Sequence, residues 1–240
     1  MGQLWDSIVE ALHLLVTLDH DVYEIAWRSL WIALASCAIS FFLISLPLGS
    51  LIHFNKFPGK TILITLIQTL FSLPTVAVGL IVFVLFSRAG PFGTYGLMFT
   101  PTIMVIGQTI LVTPVMMGLV ISALSGVDKA VPETAIALGA NRLQTAIITI
   151  REAQFAIMTS LVLGFGRAIS EVGVSMMVGG NIRGYTRTLT TAISLETAKG
   201  EIEFSLALGF ILIFIAVIVN VALLLLGRKR GPIRWLWSSS

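Results

Sequence analysis

Long apolar stretches separated by short polar ones dominate this chain, and their lengths set the first expectation. No acidic or basic residue stands between Arg28 and His53, or within 61–87, 100–124 or 204–226. A further stretch, 153–179, is broken only by Arg167 and Glu171. About 20 apolar residues suffice to cross the hydrocarbon core of a bilayer, so the pattern predicts five spanning helices. Pro74 and Pro114 are expected to kink the second and third, since proline lacks the N–H that an interior helical residue donates. Trp27 and Trp31 stand at the start of the first span, where amphipathic rings anchor at the interface. Between spans the sequence predicts a turn at Pro58-Gly59, a Gly-rich break over 88–96 and a polar loop over 180–203.

Ahead of the first span, residues 1–24 read as a short amphipathic helix. Leu4, Ile8, Leu12 and Leu15 share one face, and Asp6, Glu10, His13 and Thr17 the other. Such a segment either lies in the interface plane or forms a polar approach to the first span. The expected organisation is this helix over 1–24, a transmembrane domain over 25–227 and a tail over 228–240.

Composition agrees: of 240 residues 56% are hydrophobic and 11% charged, with a mean hydropathy of +0.97. Soluble domains carry about 25% charged residues. An all-α membrane protein follows, because a helix satisfies its backbone polar groups within its own span. The net charge of +3 bears on orientation, not on nucleic acid, which is not an expected partner. Lys56, Lys60, Lys129, Arg142, Arg151, Arg228, Lys229, Arg230 and Arg234 fall on one side of the five-span layout. Arg28, Arg88, Arg183, Arg187 and Lys199 fall on the other. The more basic side is the cytoplasmic one, which places the N-terminus outside and the 125–152 loop and C-terminus inside. The first charges are acidic, Asp6 and Glu10, so a cleaved signal peptide is not expected. Cys37 has no partner for a disulfide, and His13, His20 and His53 are too scattered for a metal site. Gly59-Lys60-Thr61 resembles the end of a phosphate-binding loop, but Phe54 stands where that motif needs glycine. No cofactor is expected in the chain.

The loop VPETAIALGANRLQTAIITIREA, 131–153, carries more organised polar structure than a connector needs. Pro132 suits a first helical turn, Glu133 complements the positive end of the helix dipole, and Gly139 suits a left-handed stop. Asn141 can cap a second helix, with Gln144 three residues on. In that helix Leu143, Ala146, Ile147 and Ile150 share a face expected to pack while the other meets water. On the residues alone the hairpin either lies on headgroups or docks another protein.

The run Glu133-Thr134-Ala135 followed by Gly139 resembles the glutamate-alanine-alanine motif of ABC importer permeases. It also stands between the third and fourth of five spans, as in that family. The resemblance implies the type I importer permease fold, in which this loop is a coupling helix seated on a separate ATPase. Glu133, Thr134, Ala135, Leu138, Gly139 and Ala140 would then contact that subunit. Thr134 departs from the usual alanine, and Arg151-Glu152 from the usual Leu-Pro. SLPTVAVGLIVFVLFSRAGPFG (72–93) and MMVGGNIRGYTRTLTTAISLET (176–197) resemble tungstate permeases, and more loosely those for molybdate and sulfate. The resemblance spans residues 25–227. It implies a homodimer in a prokaryotic cytoplasmic membrane, two ATPase subunits holding ATP and Mg, and an extracytoplasmic oxyanion-binding protein. The chain itself would be no enzyme. The contrasting reading is a secondary transporter or channel driven by an ion gradient; the inverted repeats that would support it are not found.

Inside the spans, Arg167 and Glu171 are four residues apart and share a face if one helix carries both. They either pair to fix packing or exchange partners as a gate; Gln68 is a further pathway candidate. Arg183, Arg187 and Asn181 in the 180–203 loop are candidates for an anion path or for binding-protein contact, the alternative being solvated loop residues.

Overall fold

The computed structural model describes residue 9 and residues 20–228. The proposed 1–24 helix and the tail thus lie largely outside the described residues. Those described are helices and connections, with no strand among them.

The first helix runs unbroken over His20–Phe54, in three segments: α1 (His20–Ala38), a π-helical stretch (Ile39–Ser45) and α2 (Leu46–Phe54). Pro47 explains the wide middle segment. Its ring would clash with the carbonyl four residues back in an α-helix, and the wider turn ahead of it relieves that; the Leu46 N–H bonds the Phe41 carbonyl, five residues back. Buried hydroxyls hold the segment. Thr113 donates to Ser40 at 3.0 Å, and Ser45 to the Thr113 carbonyl at 3.2 Å.

The second apolar stretch is two helices that meet at a sharp bend. Lys60–Ser72, comprising α3 (Lys60–Thr69) and a 3-10 turn, meets α4 (Thr75–Phe86) at 97°. Leu73 and Pro74 are extended at the junction, since a residue before proline is driven from the α region. The Gly-rich break is a series of turns with a 3-10 piece, Gly93–Tyr95.

Helix α5 (Pro101–Ser125) is the central post, with Met104, Met116 and Val120 fully buried and Pro114 accommodated within it. Two apolar clusters flank it. One joins Cys37, Phe41, Met116, Val120 and Phe165; the other joins Val82, Ile103, Met104, Val174 and Val178. The hairpin follows, α6 (Ala130–Ala137) and α7 (Arg142–Glu152), then α8 (Gln154–Ile169), which leaves α7 at 64°.

The expected fourth span, 153–179, is two helices. Helix α8 stops at Ile169, where the Ser170 hydroxyl bonds back to the Gly166 and Arg167 carbonyls. Glu171 then accepts the Val174 N–H at 2.9 Å and opens α9 (Gly173–Gly179). The expected polar loop contains α10 (Leu189–Lys199), begun by a reciprocal cap between Thr188 and Thr191. Helix α11 (Ile202–Arg228) closes the described chain. Three helices are long and apolar enough to cross a membrane, or five spans result if each bent pair counts as one.

Candidate functional site

The α6–α7 hairpin is built by local rules. Gly139 adopts φ +87°, a conformation costing an L-residue roughly 1–2 kcal/mol. The Ala140 N–H reaches back to the Ala135 carbonyl at 2.9 Å, and the Gly139 N–H to that of Ile136 at 2.9 Å, which closes α6. Two residues on, the Asn141 side chain accepts the Gln144 N–H at 2.9 Å while Gln144 Oε1 accepts the Asn141 N–H at 2.8 Å. Both ends of the turn are therefore rigid, as the residues 139–144 predicted.

The packing face of α7 differs from the expected one. Thr145 and Thr149 are buried, and Leu143 and Ile147 are exposed at 70% and 43%. The two threonines can turn inward because each hydroxyl bonds the carbonyl four residues back, leaving methyl groups to pack. Of the four apolar residues expected to pack, Ile150 lies against the core cluster and Ala146 is half-buried, so apolarity alone was right for only half of that face. Beside these lie Leu138, 84% exposed, and Ile136, 61%, while Ala135 is buried and Glu133 and Thr134 are exposed. A shallow groove of about 470 Å³ opens alongside, lined by Leu138, Gly139, Ala140, Gln144, Ile147, Ile148 and Arg151. So much apolar surface, next to an open groove, suits a protein partner.

The other candidates are distributed, not gathered. No ion pair joins Arg167 to Glu171 among the described residues, because the helix ends between them. Glu171 is buried as the cap of α9, and its carbonyl accepts from Thr190 at 2.9 Å. Arg167 is half-buried with Nε unpartnered, on the α8 face that also exposes Thr159 and Ser170. Gln68 is exposed on α3 together with Thr61, Thr65, Thr69 and Ser72. Their spacing puts all five on one side of the helix, a stripe that reading Gln68 alone had missed.

The 181–188 segment is a fitted piece. Thr186 is buried, donating to the Gly179 carbonyl at 2.5 Å and accepting the Ile182 N–H at 2.9 Å. Arg28, buried and paired with Glu24, donates to the carbonyls of Gly184 and Arg187. Arg183 pairs with Asp21. Arg187 has a buried, unpartnered Nε, and so has the Oδ1 of Asn181, whose amide donates to the Thr191 carbonyl at 3.2 Å. Arg28, counted in the sequence only among the basic residues of one side, thus ties this segment to α1; its position four residues after Glu24 was the available signal. His20, Asp21 and Glu24 bring ligand atoms within 4.8 Å of one another, but both carboxylates are already engaged by arginines.

Known proteins are similar to this chain in sequence. A probable anion ABC transporter permease protein of Haloferax volcanii is 42% identical over 197 residues, 80% of this chain and 84% of that one. A tungstate uptake system permease protein, TupB, of Peptoclostridium acidaminophilum is 38% identical over 223 residues, 93% of this chain and 97% of its own. TupB of Campylobacter jejuni is 38% identical over 223 residues, 92% of each chain. The family model described as binding-protein-dependent transport system inner membrane component matches residues 45–231. Matched over most of its length, and folded as apolar helices around the buried α5, the chain belongs to that family of ABC transporter permease components.

Proposed function

We propose that two copies of this chain form the membrane pathway of an ATP-driven oxyanion importer, with tungstate as first substrate. The observation that carries the coupling is the rigid α6–α7 turn. Its Glu133, Thr134, Leu138 and Gly139 lie exposed at its surface beside a groove, with no apolar cover from the rest of the described fold. In this reading the ATPase subunits grip the turn from the cytoplasm, hold ATP and Mg, and draw the two copies together on nucleotide binding. The 64° junction at Ala153 passes that movement from α7 to α8, so that the pathway alternates between its two openings.

Arg167 supplies a positive charge on the accessible face of α8, and the Thr61–Ser72 stripe, with Gln68, supplies neutral donors. Arg183, Arg187 and Asn181 lie at the opposite end of the molecule in this layout, where an extracytoplasmic binding protein delivers its anion. The N-terminus is outside and the C-terminus in the cytoplasm. Support for tungstate comes from the two tungstate uptake permeases, which align with nearly the whole chain.

Proteoliposomes holding the permease, its ATPase and its binding protein test the reading. Tungstate-loaded binding protein is expected to stimulate hydrolysis several-fold and to drive uptake. Stimulation by sulfate or molybdate in preference to tungstate would reassign the substrate. Uptake that follows an ion gradient without ATP would overturn the proposal.

A further inference from the structure

Arg151 stands where the resembling family has an apolar Leu-Pro pair, and its surroundings give it a role. It lines the groove beside the coupling turn and is exposed. Among the described residues its side chain has no hydrogen bond or ion pair, Glu152 included. Leu138, Gly139, Ala140, Ile147 and Ile148 line the groove with Arg151, and a Cβ on Gly139 would meet nothing within 4 Å. Gln144, the other polar lining residue, spends its Oε1 on the Asn141 cap. The groove is therefore shallow and partly apolar, with one exposed cation in its lining whose side chain is unpaired among the described residues.

Building on the coupling reading, we propose that Arg151 selects the ATPase partner. That partner seats an apolar side chain in the groove and places an adjacent carboxylate on the Arg151 guanidinium. A guanidinium fork matches a carboxylate in two parallel hydrogen bonds, which adds orientation to charge. A phospholipid headgroup carries the same charge. Yet Leu138, which lines the groove, is 84% exposed, and an exposed apolar side chain next to a concave surface suits a complementary protein surface better than a headgroup plane.

The test uses the permease in nanodiscs of phosphatidylcholine and the ATPase subunit of the same system, with affinity measured at low and high salt. Arg151→Glu is expected to weaken binding at least tenfold at low salt, with Arg151→Lys intermediate. Salt is expected to weaken wild type more than Arg151→Ala. Reversal of one Asp or Glu on the ATPase to Arg should restore binding to Arg151→Glu. Wild-type affinity in Arg151→Glu at both salts would overturn the proposal. So would a defect that no acidic reversal restores, or one seen only in anionic lipid. Leu138→Ser separates the two levels. Lost binding there with unaffected Arg151→Glu sinks the Arg151 role alone, whereas unaffected binding in both sinks the coupling reading as well.

Discussion

At Gly139 the backbone, not space, sets what the position tolerates. A Cβ there would touch nothing within 4 Å, but φ is +87°. Gly139→Leu is therefore expected to cost about 1–2 kcal/mol locally and to tilt the turn. ATPase stimulation and uptake should drop at least tenfold while the protein remains in the membrane at wild-type levels. Unimpaired uptake would exclude the turn from coupling. Asn141→Ala removes one half of the reciprocal cap and should cost about 1 kcal/mol; hydrogen exchange would show it as faster opening of the first turn of α7 and not of α5. Glycine and asparagine at these two positions are residue types whose local geometry is nearly independent of the rest of the fold. That is why this part of the site was legible from sequence.

Between elements, close approach takes over. A Cβ on Gly107 would lie 2.4 Å from Val174 Cγ1, whereas at Gly166 it would meet nothing within 4 Å. Valine is stiff at χ1, so α9 must shift to admit even a methyl group. Gly107→Ala is expected to cost roughly 1–3 kcal/mol and to lower the melting temperature in detergent, with Gly166→Ala close to wild type. Equal melting of the two variants would refute the tight α5–α9 contact. The π-helical stretch of the first helix makes a second case. Thr113→Val removes the donor to Ser40, which keeps a 3.3 Å contact with Ser45. The expected loss is of order 0.6 kcal/mol, the average for such bonds in a membrane protein. Neither contact was visible in the apolar pattern, because a glycine or threonine in a span says nothing about which neighbour it meets. The break at 170–172 was hidden for a similar reason. Arg167 and Glu171 have helical spacing, and only the competing use of the Glu171 carboxylate as a cap separates them.

For the molecule as a whole, the issue is which exposed surfaces meet lipid and which meet water. Ile62 and Leu66 are 67% and 56% exposed on α3, as suits lipid or a second copy. The polar stripe Thr61, Thr65, Gln68, Thr69 and Ser72 runs beside them. The hydroxyls of Thr65, Thr69 and Ser72 bond carbonyls of their own helix, but an amide facing hydrocarbon is costly, and polar groups within spans face a bundle interior or a wet cavity. In a Cys37→Ala background, cysteines at Thr65 and Gln68 should react with a membrane-impermeant thiol reagent, and those at Ile62 and Leu66 should not. Adding ATPase and nucleotide should change the rate at Gln68. Reaction at all four positions alike would remove this face of α3 from the pathway.

The sequence by itself determined the all-helical membrane class, the apolar stretches and their approximate limits, and the turn chemistry at 139–144. These depend on composition, on run length and on backbone preferences that act within a few residues. It also carried the family, through the loop and the two oxyanion-permease stretches. Only the tertiary structure decided which helices run straight and which bend by 97° or 64°: Pro74 permits the first break without setting its angle, and no proline, glycine or serine marks the second, at Ala153. It also decided which face of α7 is covered, because a threonine bonded to its own helix buries as readily as an isoleucine. And it left the Arg151 side chain unpaired among the described residues beside an open groove between the 138–140 turn and α7, because that depends on which face of α7 the rest of the fold covers.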